Sequence, residues 1–209
     1  MITNAEPLLL QGDLAWDLAE RAMTLGEVAW DIETTGLDWR SDVIRTVQVA
    51  VGSDIAVVQL RQWETPKVLA CLLEEGSIKK TFHHAAFDLR FMAYHWQLEP
   101  ANIRCTKVAA KIAEPGLGHG SYSLRPLLRR HLSVDLDKSE QTSDWSVDDL
   151  SPAQLAYAGN DVRYLSALHA HLVGLVEARG ALDLLSASYG YLPARVRLDL
   201  DGAGDVFAY

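Results

Sequence analysis

Apolar and polar residues recur along this chain with two different periods, and the change of period divides it. Glu27 to Ile32, Val43 to Val51 and Ile55 to Leu60 are strand-like runs, short, rich in β-branched residues and closely spaced. Gly52-Ser53-Asp54 predicts a tight hairpin turn between the last two. Ahead of them, Asp13 is placed to cap a helix running to about Leu25, with Leu14, Leu18 and Leu25 among its apolar positions. Behind them, Pro66 opens a helix to about Glu75 that Gly76 closes. Ile78 to Phe82 then reads as a short strand, and Ala85 to about Trp96 as the helix after it.

Helical spacing takes over from there, in Thr106 to Ala113, Ser123 to His131 and a long segment from Pro152. Ser151 and Gln154 form a Ser-x-x-Gln capping box for that segment, with Pro152 at its first helical position. Strands gathered early and helices late predict an α/β fold, a sheet containing an antiparallel hairpin. At the end of the chain Val196, Leu198 and Leu200 alternate with Arg195, Arg197, Asp199 and Asp201. That period of two predicts a terminal strand, whose apolar face needs a cover.

Composition narrows the setting. A chain of 209 residues, 49% hydrophobic and 22% charged, is expected to form one domain, residues 1–209. No apolar run approaches the ~20 residues of a membrane span, and no basic leader precedes one, so no membrane partner is expected. Cys71 and Cys105 lack metal-ligand spacing and make no disulfide framework, which suits a cytoplasmic protein. A net charge of −9 argues against a broad grip on long nucleic acid. It leaves room for a small site where bound cations reverse the local sign. Arg125, Arg129 and Arg130 are the densest basic cluster, suited to phosphate contact or, more blandly, to a solvated face or subunit contact. Gly116 to Ser121 is glycine-rich but has no P-loop lysine, so it reads as a connection.

The chemistry begins at Asp31-Ile-Glu33, where strand geometry puts both carboxylates on one face. Their repulsion is costly unless a cation lies between them, and hard oxygen ligands favour Mg²⁺ or Mn²⁺ over zinc. Gly36 turns the chain away, leaving the pair at a strand end. With 28 acidic residues such pairs arise by chance, and Asp135/Asp137 and Asp199/Asp201 are read as solvated faces. Asp88 follows His83-His84 into the first turn of a helix, where the dipole favours a carboxylate in any case. Adjacent histidines in a strand point to opposite faces, so at most one of them is expected to face a site. Tyr157 and Asp161 share a helix face, and the small Ala158-Gly159-Asn160 between them suggests that something other than core packs above.

Together these segments resemble the three motifs of the DEDD family of 3′–5′ exonucleases: Asp31-x-Glu33, Asp88 after Phe87, and Tyr157-x-x-x-Asp161. Ala156 stands where the histidine subclass carries its histidine, so the resemblance is to the tyrosine subclass. Gln141 to Trp145, Leu150 to Leu155 and Tyr157 to Leu165 are similar to ribonuclease D. Cys105-Thr-Lys107 and the stretch from Tyr191-Leu-Pro-Ala-Arg195 through Phe207 look like the compact nano-RNase C group.

The resemblance implies a ribonuclease-H-like domain, a mixed sheet flanked by helices, with nuclease motifs in residues 27–178. It implies a metal-dependent 3′–5′ exoribonuclease acting on short single-stranded RNA, with DNA as an alternative. Two divalent cations, Mg²⁺ or Mn²⁺, would be held by Asp31 between them, Glu33 and Asp161 on one, and Asp88 on the other. Tyr157 would orient the attacking water. Thr34, Gly36, Leu37, His83, Gln141 and Ser143 are the implied substrate contacts. Leu37 is either a wedge against the terminal base or a core leucine, His83 either a phosphate contact or a structural histidine, and Trp145 is read as core. Ribonuclease D's helical RNA-binding domains have no room in 209 residues, which turns the expectation towards short substrates. The ring of nano-RNase C implies a symmetric homo-oligomer, with residues 190–209 in subunit contacts. Two rival readings are a general exonuclease on longer RNA or DNA and an inactive nuclease fold that only binds; the intact acidic residues and tyrosine weigh against the second.

Overall fold

Ile44–Val51 is buried at all eight positions, as expected of a strand with neighbours on both edges. It is the third strand of a computed structural model that describes residues 6–137, 140 and 142–208. In chain order the elements are β1 (Leu8–Gln11), α1 (Trp16–Leu25), β2 (Glu27–Thr34), β3 (Ile44–Val51), β4 (Asp54–Gln59), α2 (Lys67–Glu74) and β5 (Lys79–Phe82). They continue as α3 (Ala86–Trp96), β6 (Ile103–Cys105), α4 (Thr106–Ala113), α5 (Leu124–Leu132), α6 (Pro152–Arg163), α7 (Leu165–Ala178) and α8 (Leu182–Leu200).

The sheet has the order β1-β4-β3-β2-β5-β6. β2, β3 and β4 form an antiparallel meander, while β1 runs parallel to β4, and β5 and β6 extend the other edge in parallel. It is the expected mixed sheet flanked by helices. The ladder between β2 and β3 slips between Glu33 and Thr34, so Arg45 is the extra residue on β3. That bulge ends regular pairing one residue after the acidic motif. Arg45 reaches Val147 O at 3.4 Å and Asp148 at 3.6 Å, pinning the 142–150 loop to the sheet. No helix of the described residues is long and apolar enough to cross a membrane.

Local departures from expectation have physical causes. Leu8–Gln11 pairs with β4 as an edge strand although Leu8 and Leu9 are exposed, so no alternation marked it. Asp13 does not cap the helix that follows it. Its carboxylate accepts from Val68 N and Leu69 N at 2.8 and 3.2 Å, capping α2 across a tertiary contact. The long segment from Pro152 is two helices, divided at Tyr164.

The predicted terminal strand at 195–201 is helical, within α8. Leu185, Tyr189, Leu192 and Val196 are buried at helical spacing, a stripe that becomes visible only when the window crosses Pro193. Asp199, read as solvated, pairs with Arg195 one turn back and with Arg90 of α3 at 3.6 Å, fastening α8 to α3. Asp135 pairs with Arg125 at 2.6 Å and stays exposed.

His169 on α7 makes a 3.0 Å hydrogen bond with the Tyr189 hydroxyl of α8. Burial, with Arg104 and Lys79 nearby, pulls its imidazole down to about 4. A folded-state value below the ordinary 6.5 means that the neutral ring stabilises the fold above that pH. Stability is therefore lost as pH falls from 6.5 towards 4. His169→Gln, which keeps a hydrogen-bonding group but cannot titrate, should flatten that part of a melting-temperature profile.

Candidate active site

The three acidic motifs converge because each sits at an element end aimed at one pocket. Asp31 and Glu33 lie near the end of β2, on the face covered by α6. One carboxylate oxygen from each of Asp31, Glu33 and Asp161 lies within 4.8 Å of the other two. Asp88 occupies the first turn of α3 and is buried. Its carboxylate accepts from its own amide and from Ile32 N, which ties that turn to β2 beside Asp31. A cavity of about 470 Å³ is lined by all four acidic residues and Tyr157.

Electrostatics describe a site short of positive charge. Burial raises the Asp88 carboxyl above the ordinary range, and the Asp161 charge raises it further. Burial, Asp161, Glu33 and Asp31 also drive the Tyr157 phenol far up, and its hydroxyl hydrogen-bonds to the Asp161 carboxylate. A phenol so placed is a donor and not a base at neutral pH. Oxygen-only ligands converging at this spacing fit a hard divalent cation.

Tyr157 belongs to a small apolar cluster with Val57, Trp145 and Ala158. The Trp145 and Tyr157 ring centroids are 6.0 Å apart. Trp145 is thus core, as expected, and also pocket wall. The capping box at Ser151 is formed, and Gln154 Nε2 also donates to Asp144 O at 2.9 Å and Ser143 Oγ at 3.2 Å. One side chain therefore starts α6 and holds the pocket rim. Gln154→Ala should cost about 1 kcal/mol, roughly 2–4 °C in Tm by thermal melt, and raise KM as the rim loosens.

Thr34, Gly36, Leu37, His83 and Ser143 all line the pocket. Leu37 is 82% exposed, which rules out the core reading. A Cβ on Gly36 would overlap the Asp42 carboxylate, so this turn admits no larger residue without moving. His83 Nδ1 lies 2.8 Å from Thr106 Oγ1, giving the ring a structural anchor at the pocket wall. Gln141 lies outside the described residues.

The expectation that only one of His83 and His84 faces the site is overturned. Both line it, because they follow β5 and His84 has a left-handed φ of 65° that breaks strand alternation. Core also packs above Ala158-Gly159-Asn160: a Cβ on Gly159 would overlap the Pro7 ring, and Ile55 lies close by. Ile32, Thr35, Phe87, Lys107, Ser123, Leu124 and Thr142 complete the wall, and none of them was expected there. Lys107 sat in the quoted Cys105-Thr-Lys107 stretch, a signal available but not turned into a position.

Residues 10–177 match the 3′–5′ exonuclease family. The chain belongs to that family. The matched span contains every residue that lines the pocket just described.

Among its relatives, DNA polymerase I of Aquifex aeolicus is 36% identical over 138 residues, 66% of this chain and 22% of that protein. Ribonuclease D of Gluconacetobacter diazotrophicus is 35% identical over 133 residues, 63% of this chain and 33% of that protein. The chain thus spans about a fifth to a third of the length of these curated relatives. NrnC of Brucella melitensis matches end to end, with a TM-score of 0.90, 33% identity and 98% of both chains covered. That protein has also been solved bound to pGG and with bound Mg²⁺, at TM-scores of 0.89 in both cases. Escherichia coli RNase D shares the fold, with a TM-score of 0.79 at 23% identity over 92% of this chain and 51% of its own.

Proposed function

We propose that this exonuclease degrades short single-stranded oligoribonucleotides from the 3′ end, down to dinucleotides, releasing nucleoside 5′-monophosphates. The observation that carries the reading is the end-to-end likeness to Brucella melitensis NrnC, a protein solved with pGG. Asp31, Glu33, Asp88 and Asp161 would hold two divalent cations, Mg²⁺ or Mn²⁺; the convergence of the first, second and fourth supports this directly. When bound, such ions supply Lewis-acid activation of the phosphodiester and of the attacking water. Tyr157 would orient this water through its hydroxyl oxygen, which can accept while its proton is donated to the Asp161 carboxylate. Leu37 would meet the terminal base from the rim, with Thr34, Gly36, His83 and Ser143 holding sugar and phosphate. Gln141 remains a proposed contact from its place in the ribonuclease-D-like stretch.

The reading places a single domain in the cytoplasm and assembles it as a symmetric homo-oligomer, with residues 190–209 at the contacts. Phe207 at 67% and Val206 at 53% exposure are apolar groups a partner would cover. The likeness to DNA polymerase I favours a second reading, trimming of longer RNA or DNA. Comparing kcat/KM for RNAs of two to about twenty nucleotides, and for matching DNAs, decides between them. A flat length profile, or a preference for DNA, would overturn the short-RNA reading. Light scattering on a sizing column should give a multiple of 23.1 kDa, and a mass of one subunit at micromolar concentration refutes the assembly.

A further inference from the structure

On β3, Val47 and Val49 alternate with Thr46 and Gln48, and all four are fully buried. Buried polar side chains on a central strand cost stability unless their hydrogen bonds are met, and valines on the opposite face show what apolar filling looks like here. The register explains what the polar pair stands beside. Gln48 is the cross-strand partner of Asp31, and Thr46 that of Glu33. Cross-strand partners share a sheet face with neighbouring side chains, so the pair flanks the acidic motif. On its other side Gln48 is opposite Val57, which packs with Trp145 and Tyr157.

Gln48 Nε2 donates to Thr46 Oγ1 at 2.9 Å. The Thr46 oxygen is therefore an acceptor in that bond, which leaves its hydroxyl proton to be donated elsewhere. Gln48 Oε1 is fully buried and has no partner among the described residues. An orphan acceptor beside the acidic cluster is unexplained by packing, and a leucine there would avoid its desolvation.

We propose that Gln48 and Thr46 are positioning residues for the cation-binding carboxylates. Gln48 orients the Thr46 hydroxyl, and that hydroxyl holds the Glu33 carboxylate in its ligating rotamer from beneath the pocket. Outer-shell partners of this kind typically change metal affinity by about 10–100-fold. The proposal rests on the metal-binding reading above.

The test uses the full chain stripped with EDTA, titrated with Mn²⁺ by calorimetry and by thermal melt. Asp161→Asn serves as the control for binding at the carboxylates. Gln48→Leu and Thr46→Val should melt at or above the parent in EDTA, yet bind Mn²⁺ at least ~10-fold more weakly. Their double variant should be no worse than the single ones, because both break one chain of hydrogen bonds. Thr46→Ser should restore affinity by restoring the hydroxyl. If Gln48→Leu fails to fold, the contrast of Thr46→Val with Thr46→Ser decides alone. Parent-like Mn²⁺ affinity in the folded variants, additive losses, or no rescue by serine overturns the proposal and leaves the metal-binding reading intact. A parent that binds no Mn²⁺ overturns both.

Discussion

Asp31→Asn and Asp161→Asn are each expected to turn over RNA at less than about a thousandth of the parental rate while remaining folded. Cation placement supplies several kcal/mol of transition-state stabilisation, and each ~1.4 kcal/mol is tenfold in rate. Both oxygens belong to the group that converges within 4.8 Å, so either loss opens the same coordination set. Stability should move the other way. With EDTA present the carboxylates repel, and removing one should raise Tm by a few degrees, at roughly 2–4 °C per kcal/mol for a domain of this size. Single-turnover rates at saturating Mn²⁺ and melts in EDTA check both halves. A variant that keeps near-parental rate loses its place among the ligands.

Tyr157→Phe should lower kcat by about 10- to 1,000-fold, the range expected for one hydrogen bond to the reacting water. Mn²⁺ binding should persist, weakened at most by the loss of the phenol's hydrogen bond to the Asp161 carboxylate, because the phenol itself contributes no ligand. Its ring packs with Val57 and Trp145, and phenylalanine keeps that packing, so the fold should tolerate the change. Stability should hardly fall, since the hydroxyl's partner, Asp161, retains other company in the pocket. Unchanged turnover would assign Tyr157 to packing alone.

Legibility differed by kind of residue. The acidic residues and Tyr157 were legible as a set through the resemblance of their three motifs, and the structure brings them to one pocket. The capping box at Ser151 was legible because it is local: donor and acceptor are three residues apart. Asp13 was misassigned because its real partners, Val68 and Leu69, are more than fifty residues away. The left-handed turn at His84 carries no glycine to announce it, so the alternation argument put one histidine on the wrong side. Pro193 interrupts the pattern of α8 without ending the helix, and the residues after it then imitate a strand. Gln48 and Thr46 passed as ordinary members of a β-rich run; only the register with Asp31 and Glu33 distinguishes them.

The most direct test of the account is a time course on 5′-labelled RNA with Mn²⁺, alongside EDTA and a 3′-blocked substrate. The account predicts a ladder that shortens one nucleotide at a time from the 3′ end, releases nucleoside 5′-monophosphates, and stops with either EDTA or the block. Cleavage that persists in EDTA, begins internally or passes the blocked end would contradict it.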